Sequence, residues 1–404
     1  MRLAGIPVSV SDYRALAERR LPRQLFDYVD GGSYAERTLA ANTSTFERIE
    51  LRQRVLRNVA NLDAACEIFG ERWSMPMALA PVGYAGMLAR RGECQAARAA
   101  ATFGVPFTLS TVALCSIEEV RAASPVPFWF QLYVYRDRSY ARDLLARAWA
   151  AGCPTLVYTV DLAVLGARYR EMRHGRGAQM TAWQQAWMAA DFALHPRWLY
   201  DVALRGRPFE FGNLKGAVKN ARGMNDLRKW IADNLDPSVT WNDLAWLREN
   251  WKGKIVVKGL LDPDDARTAM SALAPDGIIV SNHGGRQLDS VPPTLRALPA
   301  IRDVVGDRTK LFLDGGIRSG LDVLKAIAVG ADACFIGRAW AFALAAKGGK
   351  GVTAMLATMK RDLEVAMSLT GCRTVNDITS EVLMKSCAQQ DESFPGRPAL
   401  PDES

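Results

Sequence analysis

Cysteine is sparse in this 404-residue chain: seven residues, at 66, 94, 115, 153, 334, 372 and 387, odd in number and never closely paired. That scatter argues against a disulfide framework or a zinc site and suits a reducing cytosol. Long apolar runs are missing as well; none approaches the ~18–20 residues that span a bilayer. The opening stretch, MRLAGIPVSVSDYRALAERR, turns charged too early for a secretory signal. No helix-turn-helix, RNA-binding or zinc-finger pattern accompanies the net charge of +8. Nucleic acid is therefore not expected as a partner, which leaves anionic ligands or an acidic membrane surface. What the chain does have is 49% hydrophobic and 23% charged residues, the balance of a globular protein with a real core.

From residue 76 onward, short apolar runs alternate with amphipathic stretches of helical length. The runs are 76–82, 106–110, 127–133 and 155–161, then, after a long interval, 254–260, 277–282, 310–316 and 333–338. They are nearly continuous hydrophobics, as strands buried on both faces should be. Helical patterns such as 139–152, 262–277 and 319–331 lie between them, several starting at Ser or Asp and ending at Gly. Eight such units predict a closed parallel (β/α)8 TIM barrel spanning 76–380. An open doubly wound sheet would normally carry an early G-x-G-x-x-G, and none is present. Residues 1–75 read as a helical extension of the barrel and 381–404 as a tail, Pro-rich and polar from 391.

Polar residues gather at the strands' carboxyl ends, where such barrels carry their sites: Gln131 and Tyr133, Thr159 and Asp161, Lys258, Ser281 and His283, Asp314, Gly337 and Arg338. Two Gly–Arg turns, LDGGIRSG (313–320) and FIGRAW (335–340), end the last two strands. Glycines there admit backbone N–H groups to an anion, and Arg318 and Arg338 match phosphate oxygens. One such turn alone would be an ordinary turn; two on these strands point to a phosphate-bearing ligand. His283 is one of three histidines, and it closes a β-branched run in IIVSNHGGRQLD (278–289). A strand end fixes a base well, and Arg286 in the same turn could bind a carboxylate beside it. A hydrogen-bonded structural histidine is the bland alternative.

SNHGGRQLD, YTVD, VVKG, LDGG and FIGR together resemble the FMN-dependent L-2-hydroxy acid oxidase/dehydrogenase family. LRQRVLRNV (51–59), MALAPVGYAGMLARRGE (77–93) and GARYRE (166–171) bring the chain nearest to its bacterial respiratory L-lactate dehydrogenases. The resemblance runs from residue 12 to residue 379. It implies His283 as catalytic base, with Asp161 holding its imidazole. It implies Arg286 and Arg168 on the substrate carboxylate, and Tyr28 and Tyr133 on carboxylate or hydroxyl. Lys258 would stand beside the flavin's pyrimidine edge. Ala80, Pro81, Val82, Gly83, Ser110, Gln131, Thr159 and Ser281 would contact the ring or ribityl chain. Asp314 would bind ribityl hydroxyls, and Gly315, Gly316, Arg318, Gly337 and Arg338 would hold the phosphate. No metal is expected. The implied reaction takes L-lactate to pyruvate, with electrons passed to a membrane quinone or cytochrome, in a homo-oligomer, commonly a tetramer.

Two departures shape this expectation. Several family oxidases carry tryptophan where LSTVA has Val112, so the pocket is wider here, and a bulkier, mandelate-like hydroxy acid stays open as substrate. Gly83 stands where oxidases usually have alanine, which favours a dehydrogenase. Residues 162–253 are too many for an ordinary barrel loop. Within the insertion at 174–215, Trp183, Trp187, Met188, Phe192, Trp198, Leu199 and Tyr200 mix with Arg197, Arg205 and Arg207. That mixture suits a segment lying on a membrane, and the resemblance agrees, implying peripheral attachment at the cytoplasmic face of the bacterial inner membrane. A lid or an oligomer contact would show the same composition.

Overall fold

A computed structural model of the chain describes residues 6–384 apart from 134, 175–180, 208–210, 215–229 and 232. Cys387, the 391–404 tail and those parts of the insertion lie outside the described residues. All eight apolar runs form strands: β3 (Met77–Leu79), β4 (Thr108–Ser110), β5 (Trp129–Tyr133), β6 (Thr155–Thr159), β7 (Lys254–Leu260), β8 (Gly277–Val280), β9 (Lys310–Asp314) and β10 (Ala333–Ile336). They pair in parallel in the order β3-β10-β9-β8-β7-β6-β5-β4. A bridge from Leu79 to Phe107 joins the two ends and closes the barrel. An antiparallel hairpin, β1 (Cys66–Ile68) and β2 (Glu71–Trp73), precedes it.

Strand pleat divides the core in two. Ala78, Trp129, Val157, Val256, Ile279, Phe312 and Phe335 form a cluster inside the barrel, while Ile255, Val257, Ile278 and Leu313 face the helices. The hairpin closes the amino-terminal end of the barrel: Trp73 packs edge-on against Trp129 at 5.6 Å, and Phe69 meets Phe312 at 5.9 Å between ring centres. With that end plugged by aromatics, the carboxyl end is the one left for a ligand.

The helices start where the caps predict. Ser9, Ser116 and Ser319 each accept from the backbone N–H three residues on, in capping boxes with Asp12, Glu119 and Asp322. The N-terminal extension, expected to be helical, holds three helices, Val10–Arg20, Arg23–Asp30 and Arg37–Glu47, the first two separated by Pro22, and the hairpin as well. They pack into the same hydrophobic core as the barrel helices. The last helix, Arg338–Thr370, breaks at Lys347 and Gly348, where Gly348 takes φ +64°.

The aromatic insertion is more divided than its composition suggests. A helix, Ala182–Ala193, is capped by Thr181. Trp183 and Trp187 on it are 70% and 64% exposed, and Leu194, Tyr200 and Leu204 are exposed beyond it. Trp198 instead is buried, donating from Nε1 to the Met87 carbonyl at 2.8 Å, and its ring lies 5.2 Å from that of Phe192. These side chains divide between two sides: Met188 and Phe192 turn toward a cavity over the barrel mouth and Trp198 is buried, while Trp183 and Trp187 turn to the outside. Residues 187 and 188 are one step, about 100°, apart on the helix, which suffices for two faces.

Candidate active site

One register rule places much of the site. Along each barrel strand, the residue two positions beyond an inward-facing core residue points to the same side one layer higher. Ala78 leads to Ala80, Trp129 to Gln131, Val157 to Thr159, Val256 to Lys258, Ile279 to Ser281, Phe312 to Asp314 and Phe335 to Gly337. The apolar layer thus becomes polar at the carboxyl end, under a cavity of about 1230 Å³.

Of the residues expected at the site, Tyr28, Ala80, Pro81, Val82, Gly83, Tyr133, Thr159, Arg168, Lys258, His283, Arg286, Asp314, Gly315, Gly316, Arg318, Gly337 and Arg338 line this cavity. Four others stand behind it. Asp161 backs His283, Ser281 accepts from Lys258 Nζ at 2.8 Å, Gln131 donates to Thr159 Oγ1 at 3.1 Å, and Ser110 donates to Gln131 Oε1 at 3.2 Å.

The histidine turn explains its own sequence. His283, Gly284 and Gly285 have φ of +56°, +64° and +73°, a left-handed run that a residue with a side chain rarely takes. A Cβ on Gly284 would lie 2.7 Å from Arg338 Nη1, and one on Gly285 would lie 2.6 Å from the Leu39 nitrogen. Asn282 locks the turn from below through reciprocal 2.9 Å amide bonds with Asn42. His283 Nδ1 meets both oxygens of Asp161, at 3.0 and 3.1 Å. Burial pushes the imidazole below its ordinary pKa, and the Asp161 carboxylate opposes but does not cancel that push. Asp161 is held below the usual carboxylate range: burial would raise it, and its interaction with His283 together with the charge of Lys258 outweighs that. A neutral imidazole with one nitrogen held by a carboxylate leaves the other nitrogen to take a proton.

Positive charge surrounds it. Arg286 lies 4.8 Å over the Tyr28 ring and donates to the Tyr28 and Gly31 carbonyls at 2.5 and 3.0 Å. Its other terminal nitrogen reaches Glu171 at 3.0 Å, a buried carboxylate that also lies 3.6 Å from Arg168. Burial first, and Arg286 second, push Arg168 down to about 9. Arg318 and Arg338 are likewise lowered by burial, Arg338 further by Arg286 and Arg318. Arg338 donates to the carbonyls of Val29, Gly284 and Gly31 at 3.0, 2.8 and 2.8 Å, which are neutral partners, and the nearby Asp30 and Glu36 carboxylates offset its charge only in part. Half-buried guanidiniums crowded in this way favour anions.

The cavity fits a flavin mononucleotide on its own evidence. Asp314 Oδ2 pairs with Lys258 at 3.0 Å, while Asp314 Oδ1 is buried with no hydrogen-bond partner among the described residues. An orphaned carboxylate oxygen of this kind suits a hydroxyl-bearing chain. Lys258 stays charged, raised by Asp314 and Asp161 against the lowering effect of burial. A Cβ on Gly337 would find nothing nearer than 3.8 Å, so that wall is open. The guanidiniums of Arg318 and Arg338 line the same cavity. No group of histidine, cysteine or acidic side chains that could hold a metal occurs among the described residues.

Sequence reasoning missed Glu171, Asn42 and Asn282, whose partners are far away in the chain, and the cavity residues Tyr84, Met87, Leu162 and His174. Four of these lay inside motifs already singled out: Glu171 in GARYRE, Asn282 in SNHGGRQLD, and Tyr84 and Met87 in MALAPVGYAGMLARRGE.

Comparison with known proteins agrees with this geometry. The family model of FMN-dependent dehydrogenases matches residues 17–385. An L-lactate dehydrogenase of Caulobacter vibrioides (strain NA1000 / CB15N) is 55% identical over 375 residues, 93% of this chain and 97% of that one. Another L-lactate dehydrogenase, from Alcaligenes faecalis, is 51% identical over 377 residues, 93% and 98% of the two chains. Among solved structures, the monotopic membrane protein (S)-mandelate dehydrogenase superposes with a TM-score of 0.87 at 34% identity, over 94% of this chain and all of its own. A mandelate oxidase gives 0.77 at 36% identity, over 92% and 97%.

Proposed function

Since the chain belongs to the FMN-dependent dehydrogenase family, we propose that it oxidises L-lactate to pyruvate and passes the electrons to a membrane quinone or cytochrome. It is an FMN-dependent L-2-hydroxy acid dehydrogenase; L-lactate and the acceptor are the proposal. The observation that carries it is His283, backed by Asp161, set in one cavity with Arg168 and Arg286.

The residues divide the work. Arg168 and Arg286 bind the substrate carboxylate, and Tyr28 and Tyr133 hydrogen-bond carboxylate or hydroxyl. His283 takes the hydroxyl proton, and Asp161 stabilises the imidazolium that results. Bound FMN supplies the acceptor for the two electrons leaving the substrate carbon. Lys258, Asp314, Arg318, Arg338 and the glycines at 83, 315, 316 and 337 would hold it, with Ala80, Pro81, Val82 and Thr159 lining its place and Ser110, Gln131 and Ser281 bracing them.

No described helix is long and apolar enough to cross a membrane. The exposed Trp183, Trp187, Leu194, Tyr200 and Leu204, with Arg205 stacked 5.7 Å over Tyr200, support attachment to a membrane surface; the cytoplasmic face of the inner membrane rests on family resemblance alone. A homo-oligomer rests on family resemblance alone.

A second reading, a bulkier L-2-hydroxy acid such as mandelate, is favoured by the small Val112 in the cavity wall and by the mandelate-acting neighbours. Steady-state assays with L-lactate and (S)-mandelate, using ubiquinone-1 or air as acceptor, decide. A kcat/KM at least ten-fold higher for L-lactate, with air far slower than quinone, is expected. A preference for mandelate would move the conclusion to the second reading.

A further inference from the structure

The cavity holds a second histidine–carboxylate pair that the oxidation of a hydroxy acid does not use. His174 lines the cavity with Nε2 bonded to Asp27 Oδ2 at 2.7 Å. Asp27 is buried, and the same oxygen accepts from Arg23 Nε at 3.0 Å, which fixes the carboxylate and through it the ring. The His174 side chain is 24% exposed, so it can exchange protons with solvent. The same cavity wall includes the apolar side chains of Leu25, Met87, Leu162, Met188, Phe192 and Ile231.

The helix Ala182–Ala193 joins this annex to the outside. Its Met188 and Phe192 form part of the wall, and its Trp183 and Trp187 are exposed. The helix is tied down at one end, where Asp191 accepts from the Arg23 backbone at 2.7 Å. A fixed helix that lends apolar Met188 and Phe192 to the cavity wall, and carries exposed tryptophans, suits a molecule with a polar head and an apolar tail.

We propose that this annex is the binding site of the electron acceptor, a lipid-soluble quinone, with His174 as the acid that protonates the quinone oxygen and Asp27 as the residue that positions it. The inference rests on the reading under which electrons pass to a membrane quinone. Turning a quinone into a hydroquinone forms two O–H bonds and takes two electrons and two protons. His174 gives one proton and regains it from solvent. The remaining hydride equivalent is the one the hydroxy acid gave up when its C–H bond broke; the hydroxyl proton of that acid leaves through His283 to solvent. The hydroxy acid is oxidised, the quinone reduced, and atoms and charge balance. Met188 and Phe192 pack against the ring and the first part of the tail, which leaves along the helix.

Rapid-mixing spectroscopy of the holoprotein tests this with His174→Ala and Phe192→Ala. The flavin is reduced anaerobically and then mixed with ubiquinone-1 or with ferricyanide, which takes electrons and no protons. His174→Ala is expected to slow reoxidation by ubiquinone-1 about 100-fold, the scale of a lost general acid, and to leave reoxidation by ferricyanide within two-fold. Phe192→Ala is expected to raise the dissociation constant of ubiquinone-1, measured by equilibrium dialysis on the oxidised protein, at least five-fold. Unchanged ubiquinone-1 reoxidation in His174→Ala, or an equal loss with both oxidants, overturns the proposal. Reduction by dithionite in place of L-lactate separates the two claims. If L-lactate fails to reduce the wild type, the substrate reading falls while the acceptor site is still tested.

Discussion

His283 works from a backbone conformation that few residues accept, with two glycines after it because neither Arg338 nor Leu39 leaves room for a Cβ. Its depressed pKa fixes the direction of the pH profile. The neutral imidazole is the working base, so bleaching of the flavin by L-lactate should persist at and above neutrality and fade as pH falls through a value below the ordinary 6.5. Asp161→Asn removes the group that opposes burial. The inflection should move lower still, and the limiting rate should fall about 100-fold or more as the imidazolium loses its counter-charge. An inflection above 6.5 in the wild type contradicts this assignment. Gly83 is equally constrained: a Cβ there would meet Val112 Cγ2 at 2.7 Å and the Tyr28 hydroxyl at 3.3 Å. Gly83→Ala should lower kcat/KM for L-lactate about ten-fold, the scale of ~1–3 kcal/mol of overpacking. Adding Val112→Ala should recover most of it; a double variant as poor as the single one would place the clash elsewhere.

At the scale of elements, the barrel strands were legible because strands buried on both faces cannot hide polar residues, so each run reads as continuous hydrophobics ending where the site begins. The i to i+2 step from Phe312 to Asp314, or from Val256 to Lys258, was legible for the same reason. The Glu171 contact with Arg286 and the Asn42–Asn282 pair were not, since 115 and 240 residues separate the partners and no local pattern encodes them. Composition flagged the insertion's aromatics but could not say which face each takes. Once Trp183 and Trp187 are known to be the exposed ones, the test becomes specific. Replacing both by serine should weaken co-sedimentation with anionic phospholipid vesicles at least five-fold, with bleaching by L-lactate unchanged. Equal sedimentation of variant and wild type would assign the exposed pair to another contact.

Across the whole molecule, four half-buried arginines face one cavity, and desolvation lowers the pKa of each, so the folded apoprotein bears an electrostatic cost that bound anions relieve. Removing FMN should therefore lower the melting temperature, and restoring it at about 1,000 times its Kd should return ~4 kcal/mol. Riboflavin, which has the ring and ribityl chain but no phosphate, should restore much less, as Arg318 and Arg338 would lack their partner. Equal stabilisation by the two would detach those arginines from the phosphate. The central claim, that this cavity takes a hydride equivalent and a proton from an L-2-hydroxy acid, is tested most directly by the visible spectrum of the purified holoprotein without oxygen. L-lactate should bleach the yellow flavin band within the mixing time of a manual assay, and D-lactate should leave it intact. A band that L-lactate leaves unchanged, or that both enantiomers bleach alike, would contradict the account.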